Sequence, residues 1–187
     1  MGPLLKLLAK KSGSAVQAQE EIAAVTSALG LSGARCEDEQ MAGLALCARG
    51  ERIEVVSSHL SWRDFERFCS NILRARRYRV MENIYLKKPR AQIDVLGISD
   101  RLSLAIDCKH WARQPGHSAL GRLVDAQKDR AKRLRDSLDR VGPIVPLIVV
   151  MVDPGIRFVA GGAVVPIFAL ADFLDNIEAY AGYVEPV

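Results

Sequence analysis

The chain has 187 residues, 49% hydrophobic and 26% charged, the balance of one soluble globular domain with at most a small appendage. Its four cysteines, Cys36, Cys47, Cys69 and Cys108, are scattered and form no CxxC pair, which excludes a zinc knuckle or dithiol redox motif and fits reduced thiols in a cytoplasmic protein. The net charge of +4 hides an asymmetry: residues 61–140 carry 19 Lys/Arg against 10 Asp/Glu, residues 1–60 carry 6 against 7, and residues 141–187 carry 1 against 5.

A basic middle of this kind is read either as a polyanion-facing surface or as a solvated basic face without a partner. No targeting or membrane segment is expected. Leu4, Leu5, Leu7 and Leu8 are interrupted by Lys6 and followed by Lys10 and Lys11, against the pattern of a signal sequence. The apolar run from Pro143 to Val152 is far shorter than the ~20 residues that span a bilayer, and it suits a buried strand.

In chain order, Gln17 to Leu29 reads as a helix stopped at Gly30, Glu37 to Ala48 as a second stopped near Gly50, and Glu51 to Leu60 as a third candidate. Residues 1–60 are therefore expected to form a helical N-terminal segment, either a helix-turn-helix or a cap, ahead of a main domain over residues 61–187. Ser61 is a suitable N-cap and Asp64 a suitable first-turn acid for a long helix, in which Trp62, Phe65, Cys69, Ile72 and Leu73 form an apolar stripe. Strands are expected over Tyr78 to Leu86, Gln92 to Ile98 and Leu102 to Lys109, with Lys87-Lys88-Pro89-Arg90 as a loop between the first two. After a turn at Gln114-Pro115-Gly116, a helix runs from Ser118 to about Arg140. Ile144 to Val152 is a buried strand, Ile156 to Ala160 and Ala163 to Phe168 are short strands, and Ala169 to Tyr180 is the last helix. This order predicts an α/β/α sandwich around a central mixed sheet.

The chemistry concentrates in the hairpin around Asp100-Arg101. If those two residues form the turn, Ser99 faces Leu102, and Asp94 falls directly opposite Asp107. Opposed residues share one face of a sheet, and Lys109 joins them because side chains repeat every two residues. Two adjacent carboxylates repel, and a divalent cation with a preference for hard oxygen ligands removes that repulsion. Glu66 sits in the apolar stripe of its helix, and Gln127 sits in the stripe of Leu120, Leu123, Val124, Ala131, Leu134 and Leu138. Both misplaced polar residues are explained if they point at the same site. Each also has a purely structural reading: Asp107 and Lys109 as an ion pair, Asp94 as a backbone acceptor, Glu66 as a partner of Arg63 or Arg67, and Gln127 as a satisfied core amide.

Trp62-Arg63-Asp64-Phe65-Glu66, Gln92-Ile93-Asp94 and Asp107-Cys108-Lys109 together resemble the PD-(D/E)XK restriction-endonuclease-like nuclease superfamily, with Mrr-type restriction endonucleases and archaeal Holliday junction resolvases as the nearest flavour. The resemblance covers roughly residues 61–180, including Gly161 to Ile167 before the last helix. It implies a metal-dependent endonuclease that hydrolyses DNA phosphodiester bonds. Asp94, Asp107 and the backbone carbonyl of Cys108 would hold Mg²⁺ or Mn²⁺. Glu66 would hold a metal-bound water or complete a second metal site, Lys109 would assist the attacking water, and Gln127 would be accessory. Ile93 stands in place of the motif's proline, and Asp107 in place of its more frequent Glu.

Basic residues offered for the nucleic-acid backbone are Lys87, Lys88, Arg90 and Arg113, with Lys128, Lys132 and Arg135 as an outward stripe on the later helix that reads equally as a solvated face laced by Asp125, Asp129, Asp136 and Asp139. His110 and Trp111, next to the lysine, read more simply as structural. The alternative reading is a catalytically inactive or weakly active nucleic-acid-binding module of the same fold. A homodimer is compatible with either, because cutting both strands needs two sites.

Overall fold

The computed structural model of the chain describes residues 2–29, 31, 38–51, 55–56, 61–109, 115–138, 142–151 and 155–187. Three helices come first: α1 (Pro3–Ser12), α2 (Ala15–Ala28) and α3 (Asp38–Ala48). They are followed by α4 (Trp62–Ala75), β1 (Arg79–Leu86), β2 (Ala91–Ile98), β3 (Ser103–Lys109), α5 (His117–Ser137), β4 (Ile144–Val150), β5 (Arg157–Val159), β6 (Gly162–Pro166) and α6 (Ile167–Asp175). A short 3₁₀ turn over Ile177–Tyr180 closes the series. Most of the expected helix over residues 51–60, together with His110, Trp111 and Arg113, lies outside the described residues.

The six strands form one mixed sheet in the order β1-β2-β3-β4-β6-β5. The first three strands are antiparallel neighbours, β3/β4 and β4/β6 are parallel, and β5 returns antiparallel on the edge. Both faces are covered, so β3 and β4 are buried along nearly their whole length. On one face Val95, Leu104, Ile106 and Cys108 share a core with Phe65, Cys69 and Ile72 of α4 and Phe173 of α6. On the other, Leu96 and Ala105 pack with Ala131 and Leu134 of α5, while Ile148 and Val150 pack with Leu120 and Val124. The α/β sandwich expected from the element order is the architecture observed, and it is consistent with a restriction-endonuclease-like fold.

Three boundaries differ from the sequence reading. Helix α1 was not anticipated; Leu4 and Leu8, one helical turn apart, are fully buried and join the same core as α4. The last helix starts at Ile167 rather than Ala169, because Pro166 ends β6 and the following apolar residues bury as helix; short apolar runs do not distinguish the two by periodicity. Strand β5 is three residues long, since Ala160 and Gly161 both take positive φ (50° and 73°) and turn the chain straight into β6. Among the described residues no helix is long and apolar enough to cross a membrane.

Helix α4 is set by its N-terminus. The Ser61 hydroxyl accepts from the Asp64 amide, and the Asp64 carboxylate accepts from the Ser61 amide at 2.9 Å, a reciprocal capping box. This fixes where the helix begins and hence which residues face the sheet. Replacing Ser61 by Ala is expected to lower stability by about 1 kcal/mol, read as a shift in the urea midpoint at unchanged slope; an unchanged midpoint would show that the cap contributes nothing.

Candidate active site

The β2–β3 hairpin closes with the Ser99 amide donating to the Leu102 carbonyl at 3.2 Å and the Ser99 hydroxyl donating to the same oxygen at 2.8 Å. From there the register runs Ile98↔Ser103, Gly97↔Leu104, Leu96↔Ala105 and Val95↔Ile106. The two-residue turn and its even register are therefore as expected, and Asp94 and Asp107 are the next opposed pair. The ladder stops just there. On the alternation of an antiparallel ladder, Ile93 and Cys108 would be the next hydrogen-bonded pair. Instead the Cys108 amide donates to Asp94 Oδ2 at 2.8 Å. The strands part where the carboxylates sit, and a side chain replaces main chain as the acceptor.

Asp94 and Asp107 are both nearly inaccessible, 8% and 5% exposed. Burial pushes the Asp94 carboxyl up, the Cys108 amide opposes this, and the charges of Asp107 and then Glu66 raise it further, to about 6. The Asp107 side chain also lies within hydrogen-bonding reach of Asp94, and this too raises the Asp94 carboxyl.

Asp107 is fully engaged. Lys109 Nζ donates to Oδ1 at 2.9 Å and Arg130 Nη2 donates to Oδ2 at 2.9 Å. Arg130 Nε in turn donates to Gln127 Oε1 at 2.7 Å, and Gln127 Nε2 donates to the Ala105 carbonyl at 2.8 Å. Gln127 is thus a satisfied core amide and reaches Asp107 only through Arg130. The ion-pair reading of Asp107 and Lys109 and the site reading describe the same atoms.

Glu66 is buried on the α4 side, and its carboxyl is raised by burial, countered by a hydrogen bond from Trp62, raised again by Glu82 and lowered by Arg63. Trp62 itself is 42% exposed, so it belongs to the rim of the site and not to the core stripe. Glu66 is near enough to influence Asp94 through its charge. Among the described residues, however, no three His, Cys, Asp or Glu side chains converge closely enough to hold one ion. Beneath the site, Cys108 and Cys69 are buried with their sulfurs 3.5 Å apart, and burial holds the Cys108 thiol well above its ordinary range.

The basic residues separate into two groups. Lys87, Lys88 and Arg90 are exposed on the β1–β2 turn, four to seven residues from Asp94, and Arg133 of α5 tethers that turn through the carbonyls of Lys87 and Pro89. Lys132 and Arg135 are exposed on α5. Lys128 does not continue their stripe: its side chain is only 16% exposed, and its ammonium is bonded to Glu185 Oε2 at 2.6 Å and to the Ala160 carbonyl at 2.9 Å, so it ties the C-terminal segment to α5. Arg130 is the site residue that sequence reasoning missed. Its signal was available, because it lies three residues after Gln127 and so on the same helix face.

Residues 57–134 match the family model Mrr_cat, described as restriction endonuclease, and the match is consistent with the PD-(D/E)XK superfamily. It supports a nuclease of the restriction endonuclease family. The chain is also 27% identical over 123 residues to an Archaeoglobus fulgidus protein described as "Uncharacterized protein", covering 65% of this chain and 95% of that one. No solved structure gives a significant match.

The raised Asp94 carboxyl has a consequence for stability. Because its folded pKa of about 6 lies above the ordinary value, its contribution is fully present at pH below about 4 and is lost as pH rises through 6. Asp94→Asn keeps an acceptor for the Cys108 amide and removes the charge. In metal-free buffer at pH 8 the variant is expected to be more stable than wild type by on the order of 2 kcal/mol, with the gap closing towards pH 4. Denaturation midpoints across that range are the measurement, and a gap that does not change with pH would contradict the assignment.

Proposed function

We propose that this chain is a divalent-metal-dependent endonuclease that hydrolyses DNA phosphodiester bonds. The observation that carries the reading is the placement of Asp94 beside Asp107, with Lys109 bonded to Asp107, where β2 and β3 part. The family match supports the nuclease class. The donor set suits a hard cation such as Mg²⁺ or Mn²⁺: two buried carboxylates side by side, to which the Cys108 carbonyl would add a further oxygen. When bound, such a cation supplies a lowered pKa for water and neutralises charge on the phosphate.

The chain's own residues do the rest. Asp94 and Asp107 would hold the cation. Lys109 presents an ammonium beside Asp107 and stabilises the negative charge that grows on the phosphoryl oxygens as water oxygen bonds to phosphorus and the P–O bond to the leaving strand breaks. Glu66 accepts a hydrogen bond from the water and is not a third ligand. Lys87, Lys88 and Arg90, exposed on the turn that leads into β2, track the phosphate backbone without reading sequence. Residues 61–187 form the nuclease unit, with residues 1–60 as a helical cap. One site per chain makes a homodimer the assembly for double-strand cleavage.

A second reading has an observation of its own. Both oxygens of Asp107 are neutralised by Lys109 and Arg130, which suits a binding module that kept the fold without catalysis. Plasmid, single-stranded, flap and branched DNA incubated with Mg²⁺ or Mn²⁺ separate the two. Cleavage is expected in wild type, with Asp107→Ala and Lys109→Ala each lower by about 100-fold or more. Equal activity in all three would sink the nuclease reading, and salt-sensitive binding without cleavage, unaffected by Asp107→Ala, would establish the module. Replacing Lys87, Lys88 and Arg90 together by Ala should lower the slope of log affinity against log salt by up to about 3; an unchanged slope would remove that turn from the interface.

A further inference from the structure

Arg130 has no part in the hydrolytic scheme above, yet it is among the most carefully held side chains near the site. Its Nε is fixed by Gln127, which is fully buried and is itself anchored to the Ala105 carbonyl. Ala105 lies two residues before Asp107 on the same strand and face. The guanidinium is therefore registered to the strand that carries Asp107, and its reach to Asp107 Oδ2 follows from that anchoring. The clamp uses only Nε. Of the two terminal nitrogens, Nη2 donates to Asp107 Oδ2, and among the described residues Nη1 has no hydrogen-bond acceptor in the protein. The Arg130 side chain is 22% exposed against 7% for Asp107, so solvent reaches the guanidinium-bearing side chain more than the carboxylate it pairs with.

The charge balance around Asp107 is the second observation. One carboxylate receives two cations, Lys109 on Oδ1 and Arg130 on Oδ2. A divalent cation that takes Asp107 would have to compete with both. Lys109 comes from the same strand, two residues away, and stays beside Asp107 by its attachment. Arg130 comes from a helix and carries a planar fork that matches a phosphate as well as a carboxylate. Exchanging Asp107 for a phosphodiester oxygen keeps the guanidinium paired with an anion at every stage.

We propose that Arg130 is a substrate-phosphate ligand whose release is coupled to cation binding at Asp107. Without the cation, Asp107 holds Nη2. With Asp107 engaged by a cation, Nη1 and Nη2 would be free to take two oxygens of the phosphodiester, while Gln127 keeps Nε in place. Divalent cation and nucleic acid therefore bind with positive coupling, and Arg130 carries that coupling. Gln127 is a positioning residue for it. This rests on the metal-site reading above.

The test uses Ca²⁺ as the probe cation and a short fluorescent DNA duplex, in wild type, Arg130→Gln and Arg130→Lys, each first checked by thermal melting. Ca²⁺ is titrated calorimetrically without DNA, and duplex affinity is measured by anisotropy with and without Ca²⁺. In wild type, Ca²⁺ is expected to tighten the duplex by about tenfold. In Arg130→Gln, Ca²⁺ alone should bind more tightly than in wild type, because a competing cation is gone, while the Ca²⁺-dependent gain in duplex affinity falls to about twofold or less. Arg130→Lys, which keeps the charge and loses the fork, should fall between them and preserves the test if Arg130→Gln does not fold. A purely structural role would not move the two affinities in opposite directions. A Ca²⁺-dependent gain in Arg130→Gln equal to that of wild type, or a Ca²⁺ affinity no tighter than wild type, overturns the coupling alone if wild type binds Ca²⁺ and cleaves with Mg²⁺. A wild type with no affinity for Ca²⁺ and no cleavage overturns the metal-site reading and this inference together.

Discussion

Two carboxylates set side by side in a nearly dry pocket are the constraint around which this structure is arranged. Asp94 and Asp107 are opposed by an even-numbered hairpin register, and neither can slide away without moving every side chain of the hairpin to the other face. Their repulsion is not relieved by solvent, because both are buried. It is met by three local devices: the Cys108 amide on Asp94, the Lys109 ammonium on Asp107, and the Arg130 guanidinium on the remaining oxygen. The first of these takes an amide out of its expected ladder position, which is why β2 and β3 part at the site.

The surrounding architecture supports that arrangement from both faces. The α4 capping box fixes the helix that carries Glu66, and the buried thiols of Cys69 and Cys108 fill the space below. On the opposite face Gln127 spends both ends of its amide within the protein, one on the Ala105 carbonyl and one on Arg130. A site of this kind costs folding stability in exchange for electrostatic tension that a bound cation or substrate can relieve. Asp94, held up to about 6, is where that tension is most concentrated.

Much of this was legible before the fold was known, and for a local reason. The parity of a two-residue turn is a counting argument, and it places Asp94 opposite Asp107 whatever the rest of the chain does. The Ser61–Asp64 cap is likewise a three-residue spacing. The errors were of another type. Trp62 was assigned to the core by periodicity and lies on the rim, bonded to Glu66, because a stripe's end is decided by what the helix docks against. Lys128, Lys132 and Arg135 share a helical spacing, yet Lys128 is consumed by Glu185 of the C-terminal segment, 57 residues away in sequence.

By itself the sequence determined the quantities that depend on near neighbours: the hairpin register, the face shared by Asp94, Asp107 and Lys109, the helix start at Ser61, and the anomaly of polar residues in two apolar stripes. Tertiary structure alone decided how those anomalies are resolved. Gln127 turned out to be satisfied in the core, and Arg130 turned out to be the residue it positions against Asp107. That outcome depends on where α5 settles on the sheet, a docking set by side-chain packing over many residues. Local spacing carries no record of it.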